Sequence, residues 1–172
     1  MKPPTSKPRA GGLGKAPATC TFPTAKAKSQ AIGDFLRRHG DGLPEPVLRK
    51  ATAVDKLKSW TTFCDHQGIA AAMRHEHTDW YLCTLKNAAV RPDLRGRGLG
   101  RELYQRTTES ASRDPKCLVL AADVTHDNAP SIKALRRAGF QEVNQFCWGR
   151  DEKPASILHL VRLPPTKGSK CP

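Results

Sequence analysis

The sequence predicts an α/β domain built on a mixed β-sheet. Three consecutive strand-like segments, separated by short turn signals, lie in the middle of the chain and predict an antiparallel meander. Segments with a helical spacing of apolar residues precede this meander and alternate with the strands that follow it. Such a mixture is typical of helices packed on one sheet. The length of 172 residues suits a single domain with tails.

The region before the meander predicts one short strand and two helices. Residues 19–22 form the strand. Residues 31–39 and 45–58 form the helices, because apolar side chains recur in both at helical spacing. Gly40 suits the position just after the first helix, and Pro46 suits the first turn of the second.

The meander itself consists of three predicted strands. These span residues 60–65, 69–76 and 80–90. Turn residues at Gln67–Gly68 and Thr78–Asp79 separate them, so neighbouring strands are expected to pair antiparallel.

Helices and strands alternate in the remainder of the predicted domain. A helix over about residues 98–113 follows a glycine cluster, and the apolar run 117–122 predicts a buried strand. An Asp-Asn pair precedes a helix over residues 129–138, and a glycine ends it. Residues 142–148 and 156–163 predict the last two strands.

Positive charge is concentrated in the N-terminal segment. The net charge is +13, and residues 1–28 carry six basic side chains and no acidic one. This composition predicts a disordered basic tail over residues 1–18, mobile to about residue 28, a domain over 19–163 and a second tail over 164–172. The basic tail is either a solvated extension or a contact for nucleic acid through its phosphates.

Cysteine usage and hydropathy narrow the class of protein further. Six cysteines are scattered without a CxxC pair, and the N-terminus lacks an apolar secretory core. We therefore expect reduced thiols, a cytoplasmic location and no metal site. No stretch approaches the ~18 apolar residues of a membrane helix, so we expect no membrane contact.

The glycine cluster is the strongest functional signal. Residues 95–100, in which three glycines are spaced GxGxG, join a long strand to a helix. Successive amides at such a helix start form an anion site, and Arg95, Arg97 and Arg101 add positive charge. The pattern lacks the Lys-Ser/Thr of a Walker A loop and the GxGxxG spacing of a dinucleotide fold. A phosphate-binding turn and a merely flexible turn remain the two interpretations.

This stretch resembles the acetyl-CoA motif of the GNAT superfamily of N-acetyltransferases, which reads V-x-P, a short gap, then [RQ]-x-x-G-x-[GA]. A second family motif, N-x-x-[AS]…G-F, is similar to a later segment. The resemblance covers about residues 20–163 and includes the order of elements. The matching positions are Val90, Pro92, Arg95, Gly98 and Gly100 in the first motif, and Asn128, Ser131, Gly139 and Phe140 in the second.

The resemblance implies a GNAT-like fold and an acetyl-CoA site. Its sheet would be mostly antiparallel, with strands 80–90 and 117–123 parallel and splayed around the pantetheine arm. The pyrophosphate would lie on the amides of the glycine cluster. The implied cofactor-binding residues are Ala88, Ala89, Val90, Arg95, Gly96, Arg97, Gly98, Gly100, Arg101, Asn128 and Ser131.

Candidates for the general base are weak. Asp123 and His126 follow one splayed strand, Glu76 precedes the other, and Asn87 lies on it. Each is also a normal cap, turn or surface residue, and a water relay is an equal alternative. Cys83 is interpreted as a half-buried structural thiol rather than an acyl-accepting nucleophile.

Leu135 is a departure from the family pattern. Many relatives carry Tyr at this place, four residues before the glycine of Gly139–Phe140, where it is thought to protonate the CoA thiolate. Leucine has no proton to give. A Leu135 in the usual tyrosine position is expected to point toward the cofactor sulfur.

The resemblance implies an N-acetyltransferase that moves an acetyl group from acetyl-CoA to a primary amine by direct attack in a ternary complex. The alternatives are an acyl-CoA-binding domain without catalysis and an enzyme acting on nucleic acid or aminoacyl-RNA. We expect a small-molecule or protein amine as acceptor, and a monomer or homodimer.

Overall fold

The computed structural model describes residues 18–40, 43–148 and 155–163. Within these ranges seven strands form one sheet flanked by four α-helices, and no helix is long and apolar enough to span a membrane. The strands are β1 (Ala18–Thr19), β2 (Trp60–Asp65), β3 (Gly68–His77), β4 (Leu82–Val90), β5 (Val119–Thr125), β6 (Gln141–Trp148) and β7 (Ala155–Arg162). The helices are α1 (Ala25–His39), α2 (Glu45–Ala51), α3 (Leu99–Ala111) and α4 (Ala129–Arg137), with 3₁₀ turns at Val54–Ser59 and Pro92–Leu94.

The sheet is mixed, as the sequence predicts. Its strand order is β1-β2-β3-β4-β5-β7-β6, and only β4 and β5 are parallel among the pairs of the described strands. Their pairing runs from Leu82 opposite Val119 to Leu85 opposite Ala122 and then stops, although β4 continues to Val90. The two strands therefore separate beyond this point, which confirms the predicted splay.

Two apolar clusters cover the two faces of the sheet. Ala71 and Met73 of β3 belong to the cluster beneath α3 and α4, whereas the intervening Ala72 belongs to the cluster beneath α1 and α2. Successive side chains of a strand point to opposite faces. The core thus lies on both sides of the sheet, and the strands are packed between helices.

Two predicted helices differ in extent from the observed ones. Helix α1 begins at Ala25, where the Thr24 hydroxyl accepts a hydrogen bond from the Ala27 amide at 3.1 Å. Its first turns carry polar side chains without apolar spacing, so the prediction of 31–39 began too late. Residues 25–28, expected in the mobile tail, are helical. The prediction of one helix over 45–58 was wrong, because α2 ends at Ala51 and a 3₁₀ turn follows.

The first strand is shorter than predicted and begins one residue earlier. The predicted first strand, 19–22, is observed as Ala18–Thr19. Of the predicted basic tail, 1–18, residues 1–17 lie outside the described residues, whereas Ala18 is part of β1. The predicted C-terminal tail, 164–172, also lies outside the described residues.

The expectation of reduced thiols was wrong for one pair. Cys20 and Cys64 form a disulfide, with their Cα atoms 5.1 Å apart. The pairing of β1 with β2, in which Ala18 lies opposite Cys64, brings the two cysteines together. Their separation of 44 residues hides this proximity from any spacing pattern in the sequence.

Candidate functional site

The glycine cluster forms a tight turn that exposes the start of helix α3. Gly96 and Gly98 have φ angles of 76° and 86°, a region that favours glycine because other residues carry a Cβ. Gly98 is the N-cap of α3, and no side chain caps the first amides of this helix. Unpaired N–H groups at a helix start carry partial positive charge. This turn therefore presents a positively polarised surface that suits an anion.

A cavity of about 400 Å³ lies beside this turn. We call it the glycine-loop cavity. The sequence-predicted cofactor residues that line it are Ala88, Ala89, Val90, Arg95, Gly96, Gly100, Asn128 and Ser131. Of the others, Gly98 shapes the turn without lining the cavity, and neither Arg97 nor Arg101 lines it. The Arg95 Nε atom donates to the Val90 carbonyl at 3.1 Å, which ties the turn to the end of β4.

A second cavity of about 340 Å³ lies along the separated parts of β4 and β5. We call it the polar cavity, because Thr84, Lys86, Asn87, Asp123 and Thr125 line it. It opens here since β4 and β5 no longer pair beyond Leu85 and Ala122.

The two cavities share four lining residues. These are Ala88 of β4, Tyr104 of α3, and Asn128 and Ser131 at the start of α4. The Asn128 side-chain oxygen accepts a hydrogen bond from the Ser131 amide at 3.2 Å and so caps α4. The cap fixes the start of α4 at the place where the cavities meet.

Among the candidates for the general base that the sequence predicts, Asp123 lines the polar cavity and carries a carboxylate that can accept a proton. Its Oδ1 atom lies 2.6 Å from Nδ1 of His159. The two residues are opposite each other in the β5–β7 pair, so the backbone register aligns their side chains. Sequence reasoning missed His159, because only strand pairing brings it to a residue 36 positions away.

Glu76 and Asn87 belong to a polar cluster around Arg74, and the Asn87 and Lys86 of this cluster also line the polar cavity. The Glu76 Oε2 atom accepts hydrogen bonds from Arg74 at 3.1 Å and from Lys86 at 3.0 Å. Burial alone would raise the Glu76 pKa, but these two cations outweigh it and the pKa is lowered. Asn87 has a φ of 57° and accepts from the Arg74 guanidinium at 2.8 Å. A carboxylate stabilised in its charged form is a poor proton acceptor, and an amide is none.

His126 lies apart from both cavities described above. It lines a third one, together with Lys133, Arg137 and other residues of α4 and the strands beside it. The structure therefore does not bring His126 together with Asp123 at the polar cavity.

Cys83 is more deeply buried than the half-buried position that the sequence predicts. The side chain is fully buried in the core, and burial raises its pKa to about 12. A nucleophilic cysteine requires a lowered pKa and access to its substrate.

The expectation that Leu135 points toward the cofactor was wrong. Its side chain is 0% exposed and belongs to the core cluster beneath α3 and α4, and it lines neither cavity. Leu135 lies three residues after Ile132, on the face of α4 that packs inward. An apolar side chain on this face is stabilised by burial rather than by a ligand.

Residues 36–140 match the acetyltransferase (GNAT) family, a span of more than half of the chain. The chain therefore belongs to the GNAT acetyltransferase family. No curated protein sequence matches it.

Solved structures show the same fold. The ribosomal-protein-S18-alanine N-acetyltransferase from Escherichia coli is 18% identical, with a TM-score of 0.66 over 90% of this chain and 98% of that one. A Salmonella typhimurium protein proposed as an acetyltransferase, solved with its cofactor acetyl-CoA, is 16% identical, with a TM-score of 0.63 over 88% and 97% of the two chains. Nourseothricin acetyltransferase is 29% identical, with a TM-score of 0.53 over 62% of this chain and 66% of that one.

Proposed function

We propose that this protein transfers an acetyl group from acetyl-CoA to a primary amine, by direct attack within a ternary complex. The observation that carries the proposal is the meeting of two cavities at the point where β4 and β5 separate. One cavity adjoins an anion-binding helix start, and the other carries a carboxylate. A donor and an acceptor bound in the two cavities would be in contact.

The residues around the glycine-loop cavity fit acetyl-CoA. A Cβ added at Gly96 would meet no atom within 4 Å, so the turn is open to a ligand. The first amides of α3 suit a pyrophosphate, and the end of β4 can hydrogen-bond an extended amide arm through its backbone. Bound acetyl-CoA would supply an activated acetyl group. The chain would bind it, orient it and move the protons.

Asp123 is the proposed general base. Its carboxylate can accept a hydrogen bond from a neutral amine in the polar cavity, and the hydrogen bond to His159 fixes its orientation. The acceptor attacks as the neutral amine, because an ammonium has no lone pair. The protons on the acceptor nitrogen become acidic as its bond to the acetyl carbon forms, so a carboxylate is then a sufficient acceptor. Water can relay the proton where the acceptor does not touch Asp123.

The acceptor is proposed only as an amine, on a protein or a small molecule. The similar proteins carry names of both kinds, a ribosomal protein and nourseothricin. Nucleic-acid contact through the basic tail and a monomeric or homodimeric state stay predictions. A cytoplasmic location also stays a prediction, and the Cys20–Cys64 disulfide argues against it because disulfides are rare in the cytosol.

A thiol-release assay with acetyl-CoA and a panel of primary amines tests the proposed function. We expect amine-dependent release of CoA, with the acetylated amine detected by mass spectrometry. CoA binding without turnover for any amine would instead favour an acyl-CoA-binding domain. Turnover only with an aminoacyl-RNA, together with salt-sensitive retention of that RNA, would favour the nucleic-acid alternative.

Asp123→Asn tests the assigned base. General base catalysis typically contributes about 10²–10⁴-fold, so we expect kcat to fall by about 10²-fold or more while acetyl-CoA binding is retained. Asp55→Asn makes the same chemical change on an exposed 3₁₀ turn and is the matched control. Equal kcat values for the two variants would contradict the role of Asp123.

A further inference from the structure

We infer that Tyr104 is the acid that protonates the departing CoA thiolate, an inference that rests on the proposed function. Tyr104 lies on α3 and is one of the four residues that line both the glycine-loop cavity and the polar cavity. An acceptor in one cavity can reach a thioester in the other only where the two meet. The reacting carbon and sulfur atoms would therefore lie beside these four residues, Tyr104 among them.

The other junction residues are less suited to donate a proton. Ala88 has an apolar side chain, and Asn128, whose oxygen caps α4, carries an amide, which is not an acid. Ser131 is an aliphatic alcohol, which is a much weaker acid than a phenol. The reference pKa of tyrosine is about 10 and that of a thiol about 8.5, so a phenol is far closer in acidity to a thiol than an aliphatic alcohol is.

The packing of Tyr104 holds its ring in place. The residue is only 8% exposed and belongs to the core cluster that also contains Leu103 and Leu135. A buried tyrosine has an apolar ring and one polar end, and a cavity boundary accommodates both. Leu135, in contrast, is fully buried and lines neither cavity, so α4 supplies no acid at that position.

The proposed step balances without another reactant. The acceptor nitrogen bonds to the thioester carbon, and the carbon–sulfur bond breaks with its electron pair on sulfur. Tyr104 gives its phenolic proton to sulfur, while Asp123 takes a proton from nitrogen. Water then returns a proton to the Tyr104 phenolate and removes one from Asp123. The net products are an amide and free CoA.

Tyr104→Phe removes the hydroxyl and keeps the ring. We expect kcat to fall by about 10²-fold, the lower end of the range for acid catalysis, because a thiolate is already a fair leaving group. The KM for acetyl-CoA and the melting temperature should change little. Tyr81→Phe, which makes the same change beside the start of β4, is the matched control and should keep the wild-type kcat.

A binding measurement separates a catalytic hydroxyl from a packing role. The ultraviolet absorbance of the thiolate, followed against pH in the complex with free CoA, gives the pKa of the bound thiol. A hydrogen bond from Tyr104 stabilises the thiolate, so this pKa should be lower in the wild-type and Tyr81→Phe complexes than in the Tyr104→Phe complex.

The outcomes distinguish this inference from the proposed function. If the wild type acetylates an amine, and Tyr104→Phe has the same kcat and the same bound-thiol pKa as the wild type, the inference is overturned and the proposed function stands. A Tyr104→Phe variant that loses stability and CoA affinity, but keeps its thiol pKa, would also overturn it. A wild-type protein that binds no CoA, or acetylates no amine, would overturn the proposed function and this assignment with it.

Discussion

Replacing Leu135 by tyrosine tests whether this position belongs to the core or to the site. The Leu135 side chain is 0% exposed, within an apolar cluster beneath α3 and α4. A tyrosine there must fit a larger ring into a packed core and bury a hydroxyl among apolar side chains. We expect the variant to be destabilised, without any gain in turnover.

The size of the effect follows from this burial. Overpacking of a core typically costs about 1–3 kcal/mol, and a buried hydroxyl without a partner costs about 1–3 kcal/mol more. In a domain of this size, a loss of 1 kcal/mol lowers Tm by about 2–4 °C. The expected fall in Tm is therefore at least about 4 °C, measured by calorimetry or circular dichroism. Leu135→Met, which conserves volume, should cost less than about 1.5 kcal/mol.

The activity of the same variants completes the test. The kcat of Leu135→Tyr, measured at a temperature where it is folded, should not exceed that of the wild type. A variant that keeps its Tm and gains in kcat would refute the reasoning. Leu135 would then face the thioester, and the assignment of the acid to Tyr104 would lose its basis.

Two further predictions concern stability. His75 has an Nδ1 atom buried without a partner in the described part of the chain, and burial lowers its pKa, so the folded protein favours the neutral ring. The stability that depends on the neutral His75 ring is fully present above the unfolded pKa of about 6.5 and is lost as pH falls below it. Between about pH 7 and 5, the free energy of unfolding measured in urea should therefore fall less for His75→Gln than for the wild type. Equal falls in the two proteins would contradict this. Replacing Cys20 and Cys64 together by alanine removes a disulfide between residues 44 positions apart and should lower the free energy of unfolding by about 2–4 kcal/mol. Dithiothreitol should lower the Tm of the wild type toward that of the double variant and leave the Tm of the double variant unchanged. An unchanged wild-type Tm would show that the disulfide adds no stability.

Local patterns predicted most of the fold, since strands and helices follow the spacing of apolar residues. The prediction of one helix over 45–58 failed because contacts with residues outside that segment decide its structure. Helix α2 ends at Ala51, whose carbonyl accepts a hydrogen bond from the Trp60 indole at 3.0 Å. The following 3₁₀ turn is held by Lys28, whose ammonium donates to the Leu57 carbonyl at 2.9 Å. Both partners, Trp60 and Lys28, lie outside residues 45–58, so the apolar spacing of that segment does not reveal them.

The candidate site divides in the same way. The glycine turn is local, so its residues were recognisable from their order in the chain. The sequence could identify Asp123 only as one of several candidates for the base, because its partner His159 lies opposite it only once β5 pairs with β7. Tyr104 could not be placed at all, since its position depends on where two cavities meet. Sequence patterns locate a binding turn more easily than the groups that face each other across it.

Calorimetric titration with CoA tests the central claim most directly, namely that the glycine-loop cavity holds the acetyl donor. Gly100 lines this cavity in the first turn of α3, and a Cβ there would meet only Val90, at 4.0 Å. Gly100→Glu thus adds bulk and negative charge without backbone strain, and it should abolish CoA binding while Tm is retained. Gln105→Glu adds the same charge farther along α3 and should bind CoA as the wild type does. Equal CoA affinity for wild type and Gly100→Glu would contradict the account.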